Sequence, residues 1–324
     1  MASLNPFNIN SKKKINLLKI FLYLLTFSII IIFLFLVIKM WKNQKQLNEN
    51  FDTNNTNNTN NTNNTNNIKK KIAFCFLTID NLNQSTMWNK FFKGNEERYS
   101  IYFHPKNPDR VDEPYKKYVI QNLIETRWGH TTLVQATLNL FKTAYDNENN
   151  KICVLVSDSC IPLYNFDYIY NKLINENSCS NILSLKDLNE PERKKRYSFL
   201  NKNNSDFLTF QQFKKCSQWC VINRETVKFL IENNYLHYYN GMSCADEHYF
   251  INLFDKFNIP YKTFNITFDN WKEFSKNKKY RALPKTYEEV NMKEIKEARD
   301  SQSLFFRKVV PETSINIIKI LSNQ

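Results

Sequence analysis

Short apolar runs alternate with segments of helical periodicity from about residue 70 to the end of the chain. Apolar runs of four to eight residues predict buried β-strands, and apolar residues spaced three or four apart predict helices. The predicted strands cover 71–78, 99–104, 152–157, 217–223, 261–268 and 304–309. The predicted helices cover 134–147, 166–174, 224–233, 246–257 and 287–299. Strands that alternate with helices predict an α/β sheet, whose functional residues lie beyond the carboxyl ends of its strands.

The N-terminal region has a different pattern, with no charged residue between Ile20 and Ile38. As a helix this segment extends over roughly 28 Å, about the thickness of one hydrocarbon core. No cleavage site with small residues follows it, and Lys39, Met40 and Trp41 are typical of a membrane interface. The segment therefore predicts an uncleaved signal-anchor. Four lysines before it, against three shortly after it, favour a cytoplasmic N-terminus.

A repeat of Thr-Asn-Asn occupies residues 53–67. This polar tract has nothing to bury and predicts a flexible tether. Its Asn-x-Thr sequons offer glycosylation sites at Asn54, Asn57, Asn60 and Asn63. Together these features predict a type II membrane protein of the Golgi or endoplasmic reticulum. The predicted organisation is a cytoplasmic tail (1–19), a transmembrane anchor (20–38), an Asn/Thr-rich stem (39–67) and a lumenal domain (68–324).

Composition and charge exclude several classes of protein. The chain has 3 Gly residues, whereas Gly-rich phosphate-binding loops need several in a short window. Its 26 Phe and 17 Tyr residues exclude a wholly disordered chain. The net charge of +14 suits an anionic partner, but lysine is abundant along the whole chain and no nucleic-acid-binding motif is present. A nucleic-acid partner is therefore not expected.

Seven cysteines are compatible with an oxidising compartment, and their odd number leaves at least one thiol free. Their pairing cannot be deduced from their spacing. Cys216, Cys220, Cys244 and His248 have spacings similar to those of a zinc site. However, the strand-like segment between the first two cysteines would separate them by about 13 Å, so no metal site is expected.

Two absent motifs restrict the chemistry further. The sequence has no Gly-x-Ser-x-Gly, which disfavours the α/β-hydrolases. It also has no Asp-x-Asp, the usual metal–diphosphate clamp of nucleotide-sugar transferases, so protein cations would have to neutralise a leaving diphosphate. Asp246 and Glu247 form a carboxylate pair where a helix is predicted to begin, near the positive end of its dipole. Asp246 is the predicted N-cap of that helix.

Nine segments occur in an order that points to one family. They are KIAFCFLT (71–78), YSIYFHPK (99–106), RWG (127–129), VSDSCIPLYN (156–165), CSQWCVINRE (216–225), CADEHYF (244–250), DNW (269–271), LPKTYEE (283–289) and FFRKVVPE (305–312). On these segments the domain resembles the core-2/I-branching β-1,6-N-acetylglucosaminyltransferases, together with their plant and xylosyltransferase relatives. The resemblance covers residues 71 to 321, nearly all of the predicted folded part.

The resemblance implies a GT-A-like (Rossmann-like) domain that needs neither a metal nor another cofactor. The family's catalytic base is the glutamate of its Asp-Glu-His/Tyr motif, which corresponds to Glu247. A lysine and an arginine neutralise the UDP diphosphate in that family. The lysine corresponds to Lys308, and the arginine corresponds to Arg281 in motif order or, alternatively, to Arg299.

Further residues follow from the same resemblance. On the donor side they are Phe76, in the first strand motif, and His104, which replaces an aspartate of the animal members. On the acceptor side they are Trp271, Arg193, Arg196 and Asp187. Stacking of a sugar ring on Trp271 would suit the aromatic side chain, although an ordinary core position is an equal alternative.

The implied reaction is inverting transfer of GlcNAc from UDP-GlcNAc to a hydroxyl of a glycan or glycoprotein acceptor, of the β-1,6-branching type. Transfer of xylose or glucuronic acid is an alternative within the same family. A catalytically inactive, membrane-anchored glycan-binding protein is an alternative from another class, disfavoured because Glu247 and Lys308 are both present. The acceptor and the oligomeric state cannot be assigned from the sequence.

Overall fold

The first three predicted strands lie side by side in a six-stranded sheet. The computed structural model describes residues 70–203, 206–271 and 284–322. The strands are β1 (Lys71–Thr78), β2 (Tyr99–Pro105), β3 (Asn150–Ser157), β4 (Ile161–Pro162), β5 (Ile182–Leu183), β6 (Val221–Asn223), β7 (Lys262–Thr263), β8 (Thr267–Asp269), β9 (Tyr287–Val290), β10 (Phe305–Arg307) and β11 (Val309–Ile315). The α-helices are α1 (Ser85–Phe92), α2 (Thr131–Tyr145), α3 (Phe166–Tyr170), α4 (Glu190–Asn203), α5 (Arg224–Glu232), α6 (Tyr249–Lys256), α7 (Met292–Asp300) and α8 (Ile317–Ser322). The predicted α/β class is thereby confirmed.

Several predictions concern residues that lie outside the described ranges. They are the cytoplasmic tail, the membrane anchor, the stem with its four sequons, and Arg281. Within residues 70–203, 206–271 and 284–322, no helix has the length and apolar character needed to cross a membrane.

Side-chain alternation along the central strands builds two apolar cores, because successive residues of a strand point to opposite faces of the sheet. On β1, Ile72, Phe74 and Phe76 join one core, whereas Ala73 and Cys75 join the other. Apolar residues of α1 complete the first core, and those of α2 and α6 complete the second. The central strands β1 and β3 are therefore buried on both faces, as expected for parallel strands with helical connections.

Strand direction defines one functional edge of this sheet. The strands follow the order β2-β1-β3-β6-β5-β7. Both β2 and β3 pair with β1 in parallel, and β6 is antiparallel to β3. The carboxyl ends of β1, β2 and β3 therefore meet at the same edge as the amino end of β6.

A three-stranded sheet in the order β4-β10-β8 lies beside this edge. In it β10 runs parallel to β8, and Arg307 pairs in register with Asp269. The residues that follow both strands, Lys308 and Asn270, consequently leave the sheet in the same direction. A third sheet pairs β11 with β9 in parallel.

Three of the predicted elements divide in the structure. The segment 261–268 contains β7 and β8, which belong to different sheets. The segment 304–309 contains β10 and the start of β11. The predicted helix over 287–299 is strand β9 followed by α7, which begins after a capping box formed by Asn291 and Glu294.

Two further predicted elements, both near the candidate site, are present in the structure but shorter than predicted. The predicted strand over 217–223 is confined to β6, and Cys216 forms an isolated bridge with Leu185. The predicted helix over 246–257 is a 3₁₀ turn, Ala245–Glu247, followed by α6. Asp246 is not an N-cap, because it lies inside that turn and the residue before α6 is His248. Tertiary contacts of the turn, described below, outweigh the local helical pattern.

Candidate active site

A cleft of about 730 Å³ opens at the functional edge of the larger sheet. Its lining comes from the segment after β1, from Asp158 after β3, from residues 217–219 before β6, and from Arg307 and Lys308 at the end of β10. The remaining wall includes Glu247 and Trp271. The cleft thus brings together the carboxylate and the lysine that the sequence singled out.

Glu247 lies on a turn that two other segments hold in place. The turn begins at Cys244, which has the left-handed backbone conformation with φ at 56°. The Cys244 N–H donates to the Gly129 carbonyl at 2.7 Å, and the Glu247 N–H donates to the Cys244 carbonyl at 3.0 Å. The Cys216 N–H donates to the Glu247 carbonyl at 2.8 Å. These hydrogen bonds give partners to backbone N–H and C=O groups of a segment that forms no regular α-helix.

The Glu247 carboxylate forms ion pairs with two cations. Arg196 Nη1 lies 2.7 Å from Glu247 Oε2, and Lys215 Nζ lies 3.3 Å from the same oxygen. Both contacts involve Oε2, so the carboxylate is oriented while Oε1 faces no cation at this distance among the described residues. The side chain remains 23% exposed, which gives a ligand access to it.

His248 helps to position Arg196. Burial lowers the pKa of His248 to about 3, so the imidazole is neutral at physiological pH. Its Nδ1–H donates to the Lys214 carbonyl at 2.6 Å, which leaves Nε2 to accept from Arg196 Nη1 at 3.2 Å. Arg196 also donates from Nε to Glu192 at 3.0 Å. The guanidinium is therefore fixed from two sides when it meets Glu247.

Asp246 has an environment unlike that of its neighbour. Its side chain is buried, and Oδ1 has no hydrogen-bond partner among the described residues. Burial, followed by the nearby charge of Glu247, raises the pKa of Asp246 to about 7. The two adjacent carboxylates therefore differ in role: Glu247 faces the cations, and Asp246 is held in a site that favours its neutral form.

This burial predicts a pH-dependent stability. Between about pH 4 and pH 7 the folded chain keeps a proton on Asp246 that the unfolded chain has lost, so the free energy of unfolding falls as pH rises. The slope is about 1.4 kcal/mol per pH unit in that window for one such group. Asp246→Asn removes this contribution. We expect the thermal midpoint of Asp246→Asn to increase relative to that of the wild type as pH rises from 5 to 8.

The matched control for this measurement is Asp300→Asn, because Asp300 is exposed and pairs with the exposed Lys296. That control should follow the wild type at every pH. If the difference in thermal midpoint between Asp246→Asn and the wild type stays the same from pH 5 to pH 8, the raised pKa of Asp246 is contradicted.

The opposite side of the cleft is basic. Burial, followed by repulsion from Arg307, lowers the pKa of Lys308 below its usual value. Within the described residues Lys308 forms no ion pair shorter than 4 Å, and Arg307 Nε is buried without a partner. The Arg307 guanidinium stacks over the Trp219 ring at 4.7 Å. These two cations are therefore available to an anionic group of a ligand.

Asp158 lies between the basic side and the end of β1. Its Oδ2 accepts from the Ile79 N–H at 2.9 Å. Burial raises the pKa of Asp158, whereas this bond and the charge of Lys308 oppose the rise. The carboxylate thus ties the segment after β1 to the loop after β3, next to the two cations.

The structure does not place every predicted donor-side residue in the cleft. Phe76 and His104 are both fully buried. Phe76 stacks on Phe103 in the apolar core, and His104 Nε2 accepts from the Ile124 N–H at 3.2 Å. Neither is among the residues that line the cleft. β1 and β2 carry both side chains on strand positions inside the sheet, and their assignment to the donor side stays a prediction.

Arg299 also lies elsewhere. Its guanidinium donates to the Leu163 carbonyl at 2.6 Å and to the Ile320 carbonyl at 2.8 Å, and it stacks over Tyr164. It does not line the cleft. These contacts tie α7 to the C-terminal helix and engage Nε and Nη2 of the guanidinium.

The predicted acceptor residues separate into two places. Trp271 lines the cleft and is 41% exposed. Asp187 and Arg193 line a second, smaller pocket of about 270 Å³. Arg193 donates to the backbone carbonyls of Phe210 and Phe213. Arg196 contacts Glu247, so its position is beside the predicted base.

Four residues of the site were not among those predicted from the sequence: Arg307, Lys215, Trp128 and Asp158. Three of them lie inside quoted motifs, since RWG contains Trp128, VSDSC contains Asp158 and FFRK contains Arg307. Their motif positions were a usable signal. Lys215 had none, because only its tertiary contact with Glu247 distinguishes it from other lysines.

Cysteine, histidine and acidic side chains are the groups that could ligate a metal ion. All seven cysteines are free thiols. In the described part of the chain, no cluster of three or more His, Cys, Asp or Glu side chains has an arrangement that could hold a metal ion.

Comparisons with known proteins identify relatives of this chain. A glycosyltransferase of rice (Oryza sativa subsp. japonica), BC10, is 28% identical over 171 residues, which cover 50% of this chain and 41% of the rice protein. The chain therefore spans less than half the length of this curated relative. The apo crystal structure of mouse xyloside xylosyltransferase 1 matches 63% of this chain and 89% of its own, at 7% identity and a TM-score of 0.30. Residues 72–299, well over half of the chain, match the family described as Core-2/I-Branching enzyme, and the chain belongs to this family.

Proposed function

We propose that this chain is an inverting, metal-independent glycosyltransferase that moves GlcNAc from UDP-GlcNAc to a hydroxyl of a glycan acceptor. The GT-A-like description of the domain belongs to the same proposal. The observation that carries it is a single cleft with an oriented carboxylate, Glu247, on one side and two available cations, Arg307 and Lys308, on another. Family membership supplies the sugar chemistry, and this cleft supplies groups suited to both ends of the reaction.

In the proposed reaction Glu247 accepts the proton of the acceptor hydroxyl as that oxygen attacks the anomeric carbon of the donor. The new bond forms on the face opposite UDP, whose bond to the sugar breaks, so an α-linked donor yields a β-linked product. Arg196 and Lys215 hold Oε2 of the carboxylate, and we assign Oε1 to the acceptor hydroxyl. The ion pairs thus orient the base without occupying both of its oxygens.

The leaving UDP carries the diphosphate charge to the basic side of the cleft. Arg307 offers a planar guanidinium and Lys308 a compact ammonium, two geometries that suit phosphate oxygens. The lowered pKa of Lys308 would return toward its usual value on contact with phosphate, because an opposite charge favours the protonated form. Preorganised cations of this kind stabilise charge that develops in the transition state.

A donor screen on the full-length chain tests this proposal. UDP-GlcNAc, UDP-xylose and UDP-glucuronic acid are each supplied with a mixture of glycan acceptors in the presence of EDTA. We expect UDP release and a β-linked product with UDP-GlcNAc. A strict requirement for manganese would contradict metal independence, use of another donor would reassign the sugar, and glycan binding without UDP release would favour an inactive binding protein.

We also propose that the domain is lumenal, behind the anchor at residues 20–38, and that the Asn/Thr-rich stem carries N-glycans in a eukaryotic host. The support is the uncharged apolar segment followed by four sequons. Protease added to sealed microsomes should leave the domain intact, and glycosidase treatment should lower the apparent mass. Digestion from the cytosolic side would contradict this topology.

A further inference from the structure

Trp128 is unusually exposed for a large apolar side chain. Four large hydrophobic residues are exposed in the described part of the chain: Trp128 at 70%, Ile79 at 57%, Leu185 at 48% and Trp271 at 41%. All except Leu185 line the main cleft. Exposed apolar surface gathered at one concave site is typical of a ligand-binding region.

The backbone presents Trp128 on a tight turn. Gly129 has φ at 66°, a conformation that favours glycine, and its carbonyl accepts from the Cys244 N–H at 2.7 Å. The Arg127 N–H donates to Thr132 Oγ1 at 3.0 Å, and the His130 N–H donates to the Arg127 carbonyl at 3.1 Å. An indole that is exposed but carried by a hydrogen-bonded turn is preorganised for contact with a ligand.

The same turn is joined directly to the turn of the proposed base. Cys244, the partner of Gly129, begins the 3₁₀ turn that ends at Glu247. Trp128 is thereby associated with the side of the cleft where the acceptor hydroxyl would react. The tryptophan of the basic side, Trp219, differs from it, because Trp219 is buried and covered by the Arg307 guanidinium.

The chemistry of the surroundings specifies the kind of occupant. A ligand beside Trp128 meets an apolar ring face together with carboxylates and backbone groups of the cleft. A pyranose ring matches both, because its C–H face packs on an aromatic ring while its hydroxyls form hydrogen bonds. We propose that Trp128 is the stacking platform for a pyranose ring of the acceptor glycan, a role that rests on the proposed function.

The test compares full-length chains that carry Trp128→Ala, Trp128→Phe or Leu185→Ala. Leu185→Ala is the comparison variant: Leu185 is also exposed, but it lines the second pocket with Asp187 and Arg193, so an effect of this variant would assign glycan contact to that pocket. Binding to an array of neutral oligosaccharides is measured first, and transfer from UDP-GlcNAc to the best-bound oligosaccharide is measured second. We expect Trp128→Ala to weaken glycan binding and raise the acceptor KM about 10- to 100-fold, which is typical of a tryptophan that becomes buried against its ligand.

The remaining outcomes are distinct. Trp128→Phe should recover most of the binding, since it keeps an aromatic face, and it also separates a lost contact from a folding defect. Glycan binding and acceptor KM unchanged in Trp128→Ala, or a rise confined to the donor KM, would overturn the proposal. A wild type that binds no oligosaccharide would also overturn the proposal. So would a Trp128→Ala variant that keeps glycan binding and loses only binding to phosphatidylcholine vesicles, tested in parallel. A wild type that binds glycans but transfers no sugar would refute the proposed function while the array still tests Trp128.

Discussion

Replacing Glu247 by glutamine is expected to lower turnover by about 10²- to 10⁴-fold, the range typical of a positioned general base. The amide keeps the size of the side chain and can still accept a hydrogen bond from Arg196, but it cannot take the proton of the acceptor hydroxyl. Binding of UDP should change little, because the proposed diphosphate cations lie on another side of the cleft. Initial rates at saturating donor, together with calorimetric binding of UDP, measure the two effects.

The structure adds an expectation about stability. Glu247→Gln converts two ion pairs, with Arg196 and Lys215, into weaker contacts of partly buried cations. Loss of charge from one side of such a pair is destabilising, so we expect a lower thermal midpoint, although Arg196 keeps Glu192 as a partner.

The matched control is Glu232→Gln, since Glu232 is exposed and pairs with the exposed Lys228. It should keep both turnover and thermal midpoint. An inactive Asp246→Asn together with an active Glu247→Gln would exchange the roles of the two carboxylates. Full turnover of both variants would show that neither carboxylate is the general base.

The second large effect is expected at the basic side of the cleft. Lys308→Ala and Arg307→Ala should each weaken UDP binding and lower kcat/KM by about 10²- to 10³-fold, the typical cost of removing one preorganised group that stabilises developing charge. Both measurements are made with EDTA present. Restoration of activity by manganese after loss in EDTA would show that a metal neutralises the diphosphate instead.

Parallel variants identify the arginine that completes the pair. Arg299→Ala should lower stability with little effect on UDP binding, because its guanidinium is occupied by the Leu163 and Ile320 carbonyls. Lys296→Ala is a matched surface control, since Lys296 is exposed and pairs with the exposed Asp300. If Arg281→Ala, and not Arg307→Ala, weakens UDP binding, the motif-order assignment is correct and Arg307 acts only on Trp219.

Local pattern was sufficient for much of the larger sheet. The apolar runs that predict β1 and β3 are buried on both faces, so a continuous apolar run in the sequence was a direct indication of burial. The pattern was weakest where short segments change partners. Residues 261–268 read as one strand but divide between two sheets, because a local apolar run does not specify the strand with which it pairs.

The turn of Glu247 shows a second limit. Its sequence resembles the start of a helix, and Asp246 is a residue type that commonly caps one. In the structure the Gly129 carbonyl and the Cys216 N–H bind the backbone of this turn, and the helix begins only after His248. Long-range hydrogen bonds thus outweighed a local propensity and buried the side chain that the sequence had placed at an exposed helix end.

The sequence by itself determined the α/β class and the family motifs, and it predicted two residues of the cleft, Glu247 and Lys308, because each of these is encoded in a contiguous segment. Only the tertiary structure decided which groups surround them. Arg196 and Lys215 orient the carboxylate, Arg307 joins Lys308, and Phe76 and His104 are withdrawn into the core. The physical reason is that the burial, the charged neighbours and the hydrogen-bond partners of a side chain depend on the tertiary path of the chain. That path brings together residues that are far apart in the sequence.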